Sequence, residues 1–541
     1  MGLARLHQAG AVLVASLLLV LTAATDVHSA CNATCKRDVA RCMATQCEGV
    51  GQGACRRRCK PAAIRTLAYV LSECRVDAAG LVVARQALRI RRGDREPITA
   101  VDLGPSKPVP DALGLCAKYG ERFPWGDGSV AVFPLQRLGV SPDGSGVVFE
   151  VNDAFSVAAP SWIFPEQDGI FFVRSDGSGL RRLGPASRDP SFTIGQDFIS
   201  GLRDFWRLWV VSPPILFSPD GRRITFTDRG PGPGGKEAVQ IFVIDLATDP
   251  PTRTQVTHLP SGTPPLVGPD ASPYLLTCCP KFIDNETILF QTFVDPDGSN
   301  PAHNFAAFTV RIDSGRLRAV ATPVAVPGSH LAPSFAVTGL GTNLTRLNIP
   351  GTPVNHLNDS RFQFPIAEVF RQDGKSLLQL TKFRRIDTLN GFLNPTRSRA
   401  FFLASADPLG TNPEEYCQIF STDTDGGRLR QITRLNSRAC QPLAGPGCFQ
   451  QQGIGYGYYR VVFQDPVTDA VVFDSSCDLY CTTGDRCAGL GANPSGYQLF
   501  AMRPNGDGLR QLTDASGLTA NPDGSIRVEL PGPFAYSAPV H

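Results

Sequence analysis

The chain has 541 residues, of which 42% are apolar and only 19% charged, with 53 glycines and 45 prolines. So much Gly and Pro excludes a coiled-coil or long-helix protein and favours many short strands joined by turns. A net charge of +3 over this length excludes a strongly basic nucleic-acid binder.

Residues 1–30 read as an export signal. Arg5 gives the positive start, Ala11–Ala24 an apolar stretch too short to span a bilayer, and Val27-His-Ser-Ala30 small residues for cleavage. No later stretch approaches a span, so no transmembrane segment is expected. The predicted location is periplasmic or secreted. Cys31 directly follows Ala30, but His28 stands where a lipobox has a large apolar residue, so a lipid anchor at Cys31 is the lesser expectation.

All 16 cysteines follow residue 30, an even count that in an exported chain points to disulfides. Seven of them, Cys31, Cys35, Cys42, Cys47, Cys55, Cys59 and Cys74, fall in 31–80. Their i, i+4 spacings and the apolar run Ala62–Leu71 predict a small helical hairpin stapled by disulfides. Cys42–Cys59 with Cys47–Cys55, and Cys31–Cys59 with Cys35–Cys55, are equally compatible pairings; one cysteine is left over for a partner such as Cys116. Residues 31–100 carry 14 Lys/Arg against 6 Asp/Glu, whereas 101–541 carry 37 against 42. The basic segment suits either an acidic surface or the solvated exterior of a small domain. Residues 81–128 read as an irregular linker.

From residue 129 to 541 the chain repeats itself. One recurring piece is a turn and an apolar strand: Ser141-Pro-Asp-Gly to Phe149 and Ser218-Pro-Asp-Gly to Phe226. Weaker copies run Phe282–Phe290, Asn394–Phe402 and Asp465–Phe473. Pro presets φ and Asp-Gly closes the turn; Val, Ile and Phe then favour an extended strand. The other piece is a hairpin, clearest in Ile419–Thr433 and Leu499–Thr513, with copies at Ile170–Leu183, Ile241–Thr257, Phe308–Gly315 and Val369–Thr381. Asp-Gly or Asn-Gly between apolar strands marks a hairpin. Each unit offers two strand pairs, hence one four-stranded sheet, and stacking such sheets radially covers their faces.

Ser-Pro-Asp-Gly, an apolar strand and a hairpin ending Arg-Gln-Leu-Thr resemble the WD40-like (PD40) repeat of TolB-type β-propellers, over about residues 129–520. The expected fold is all-β, a six-bladed β-propeller with room for a seventh blade from 97–140, preceded by the helical hairpin. Ser129–Phe133 or Ile526–Leu530 would complete the last blade. The resemblance implies contacts with envelope proteins and names no partner residue.

Catalytic motifs are not found. There is no Gly-x-Ser-x-Gly elbow, P-loop, HExxH or dinucleotide fingerprint, and only 28 residues follow Thr513. His258, His303, His330, His356 and His541 share no short spacing, so the histidine-held channel metal of some TolB-like polysaccharide lyases is not expected. Asp295–Asn300 and Asp423–Gly426 resemble fragments of a calcium loop without its closing Glu, and the second serves as a hairpin turn. Cys417, Cys440, Cys448 and Cys477–Cys487 are expected to pin long loops. The prediction is an exported, monomeric, non-enzymatic scaffold without cofactor, binding an envelope or extracellular protein or glycan at a loop face or channel mouth. The alternative is a metal-dependent propeller enzyme acting on polysaccharide.

Overall fold

A computed structural model describes Cys55 to Ser537 except 56–58, 61, 107, 111–134, 153–167, 189–215, 262–276, 293, 302–305, 322–342, 349–353, 357–358, 365–366, 374–375, 385–388, 395, 437–447, 449–462, 466, 476, 478 and 480–497. The export signal, most of the cysteine-rich segment, Ser129–Phe133 and His541 lie outside the described residues.

The first four strands are β1 (Thr66–Val76), β2 (Leu81–Arg92), β3 (Ile98–Pro105) and β4 (Val109–Pro110). The repeats then give one antiparallel sheet each, in chain order. The first blade is β5 (Leu135–Val140), β6 (Gly146–Val151), β7 (Gly169–Arg174) and β8 (Arg181–Gly184). The second is β9 (Leu216–Phe217), β10 (Arg223–Pro231), β11 (Glu237–Asp245) and β12 (Thr252–Gln255). The third is β13 (Thr277–Phe282), β14 (Thr287–Thr292), β15 (Ala306–Arg311) and β16 (Leu317–Ala321).

The fourth is β17 (Asn343–Asn348) with β20 (Ala367–Asp373) and β21 (Ser376–Gln379); a separate two-stranded hairpin, β18 (Val354–His356) and β19 (Asp359–Phe364), interrupts it. The fifth is β22 (Leu389–Leu393), β23 (Arg399–Ala404), β24 (Gln418–Asp423) and β25 (Arg430–Gln431). The sixth is β26 (Phe463–Gln464), β27 (Val471–Ser475), β28 (Gln498–Met502) and β29 (Arg510–Gln511). The six repeats thus build the six blades of an all-β propeller, as the sequence predicts.

The repeated text has a packing reason. In five blades the Phe that ends the first piece is registered with the Phe that opens the second. Phe149 stacks on Phe171, Phe226 on Phe242, Phe290 on Phe308, Phe402 on Phe420 and Phe473 on Phe500, with centroids 5.4–6.1 Å apart. Such a cross-strand pair adds about 0.5–1.5 kcal/mol to plain burial. The middle strands are apolar runs rather than alternations because a blade covers both of their faces; every residue of β6 is buried. One buried cluster joins the first blade to the second, another the second to the third, and others the fourth to the fifth and the fifth to the sixth.

The two chain ends build a further sheet. β30 (Gly517–Ala520) pairs with β31 (Ile526–Tyr536), which pairs with β1, then β2 and β3. Its two faces pack on the sixth blade and on the first, which places it between them. Asn521-Pro-Asp-Gly524 makes its tight turn, with Ser525 N–H donating to Asp523 as Ser145 does to Asp143. This is a further copy of the first repeat piece.

Three expectations change here. Thr66–Val76 is a strand, not the second arm of a helical hairpin. Ala62–Leu71 is almost wholly apolar and fits either period, and pairing on both edges of β1 decides for extended backbone. Residues 81–110, read as irregular, carry β2, β3 and β4. Ile526–Leu530 does close the ring, but within the terminal sheet and not as part of the sixth blade. Cys55, Cys59 and Cys74 are disulfide-bonded, and Cys59 N–H donates to Cys55 O, while Cys31, Cys35, Cys42 and Cys47 of the two expected pairings lie outside the described residues.

Candidate functional site

Antiparallel topology sorts the connections onto two faces. The turns within pairs β5–β6, β7–β8, β9–β10, β11–β12, β13–β14, β15–β16, β22–β23, β24–β25, β26–β27 and β28–β29 open on one face, and all are short. Their polar groups are used internally. In Ser141-Pro-Asp-Gly144, the Ser141 hydroxyl and the Ser145 N–H both donate to Asp143. Burial acts to raise the Asp143 pKa, but these hydrogen bonds outweigh it and hold the carboxyl below its usual range. Gly144 sits at φ +74°, and a Cβ there would meet Thr66 Oγ1 at 2.4 Å, so only glycine lets β1 dock.

The other face receives the long connections, from Val151 to Gly169, Gly184 to Leu216, Gln255 to Thr277, Ala404 to Gln418, Gln431 to Phe463 and Ser475 to Gln498. A disulfide from Cys417 to Cys448 pins this face, and Cys477, also disulfide-bonded, stands there too. The Cys417–Cys448 pair is among the loop-pinning cysteines that the sequence picks out. Asp295–Asn300 lies on this face as well. Asp295 accepts from Asn300 N–H at 2.9 Å, and the buried Asn300 amide donates to Val294 O. Asp407–Asn412 repeats the arrangement, with the Asn412 amide donating to the carbonyls of Ser405, Ala406 and Tyr416. The calcium-like text is therefore a buried-Asn turn.

Beneath this face a buried polar lattice ties the first blade to the second. Arg137 on β5 and Glu150 on β6 form an ion pair at 3.1 Å with both side chains fully buried. Arg137 also donates to Thr227 Oγ1 on β10, and Glu150 accepts from Ser187 N–H. Ser187 Oγ donates to Thr227 O. Next to it, Arg253 pairs with the buried Asp228 and lies over the Phe226 and Phe242 rings. A charge this deep is tolerated only when paired and hydrogen-bonded.

The histidines do not converge among the described residues. His258 is exposed beside Gln255, and His356 lies on β18; His303, His330 and His541 are outside the described residues. No group of three or more His, Cys, Asp or Glu among the described residues is arranged to hold a metal. Asp423–Gly426 is the β24–β25 turn. Much of the basic charge of 65–95 is used within the ring: Arg65 donates to Pro142 O and Ser537 O, Arg91 to Leu512 O, and Arg85 pairs with Asp102. Sequence reasoning passed over Arg137, Glu150 and Lys281. The available signal was a charged residue inside an otherwise apolar strand.

No family model and no curated protein matches the chain. Among solved structures it is similar to a TolB from Agrobacterium tumefaciens, at 12% identity and TM-score 0.28, covering 86% of this chain and 99% of that one. It is also similar to prolyl oligopeptidase B from Galerina marginata (12%, TM-score 0.36, covering 92% and 57%). A GH74 xyloglucanase from Xanthomonas campestris gives 11% and TM-score 0.37, covering 89% and 55%. The chain spans just over half the length of the last two. No helix among the described residues is long and apolar enough to cross a membrane.

Proposed function

We propose that the chain is an exported, TolB-like propeller that works as a non-enzymatic scaffold, with a protein or glycan partner bound on the face that carries the long connections. The observation behind this reading is the asymmetry of the two faces. Short, self-satisfied turns leave little for a partner to read, whereas long connections carried on a scaffold of packed strands are where binding residues concentrate. Covalent pinning by Cys417–Cys448 lowers the ordering cost that binding would otherwise meet.

Site-specific photo-crosslinking in envelope extract tests it. One crosslinker replaces the exposed Leu409, on the long-connection face, and another the exposed Val467, in a turn on the opposite face. A discrete adduct from position 409 and none from 467 is expected. Adducts from 467 alone, or from neither position, reject the reading.

A further inference from the structure

We draw no further inference here: the strongest candidate, the buried guanidinium groups of Arg91 and Arg510 where β2 of the terminal sheet meets β29 of the sixth blade, carries nothing, because both are spent in holding the two sheets together, Arg510 against Asp94 and Arg91 on Leu512 O.

Discussion

The fifth blade and the first blade share one sheet order but close it by different chemistry. In the fifth, buried Gln418 at the start of β24 accepts from Thr433 Oγ1 and Leu435 N–H and donates to Leu435 O. Thr433 Oγ1 in turn accepts from Ile419 N–H. Gln498 with Thr513 in the sixth blade and Gln240 with Thr257 in the second repeat this clamp, and Glu368 with Thr381 replaces it in the fourth. In the first blade the two places are Gly169 and Gly184. A Cβ at Gly169 would meet Arg182 Nε at 2.6 Å and Gly184 O at 2.8 Å, so no glutamine fits. Its polar closure runs outward instead, through Arg137 and Glu150 to Thr227 on the next blade. A clamp inside one hairpin repeats as text, whereas a tie between blades does not.

The largest effect should come from breaking the tie between blades. Arg137→Met leaves the Glu150 carboxylate buried without its cation and should cost about 3–5 kcal/mol in urea unfolding. Arg137→Met with Glu150→Leu removes both charges and should recover most of that loss. A double variant as unstable as the single one would show that the lattice acts through shape alone. Next in size, replacing Cys417 and Cys448 together by Ala opens a loop of separation 31 and should cost about 3–4 kcal/mol by the chain-entropy account. Smaller again is the clamp. Gln418→Leu strands the Leu435 N–H and the Thr433 hydroxyl, for about 1–3 kcal/mol. If Gln418→Leu costs as much as Arg137→Met, the distinction between the two blades fails.

The same contrast explains what could be read in advance. Phe149 and Phe171, or Gln431 and Thr433, recur because local strand registry needs them, so the blades were legible. The terminal sheet was not. Its Asn521-Pro-Asp-Gly524 turn belongs to the end of the chain and its outer strands to the beginning, so neither half looks like a whole unit. β1 fits a helix by composition and is extended only because β31 and β2 hydrogen-bond both of its edges. Arg137 and Lys281 each stand as a lone charge in their strand, and what they meet, Glu150 on the next strand with Thr227 on the next blade for one and Arg397 of the fifth blade for the other, is distant in sequence.

The smallest effect has the opposite sign. Lys281 has a folded pKa of about 8, against an unfolded value near 10.4. Between those values the unfolded chain holds more protons, so this group makes stability rise with pH there. Below about pH 8 its penalty is constant, and above about 10.5 it vanishes. Lys281→Met should therefore be more stable than the parent at pH 7, by about 1 kcal/mol once the water that still reaches the side chain is allowed for. The gap should close between pH 8 and 10.5. Arg397 is the charged group facing Lys281 among the described residues, and Leu289 and Gln291 beside it are neutral, so the window belongs to the lysine. Urea midpoints at pH 7, 9 and 10.5 read the gap directly, and a gap independent of pH would show that Lys281 is not held in a penalising environment.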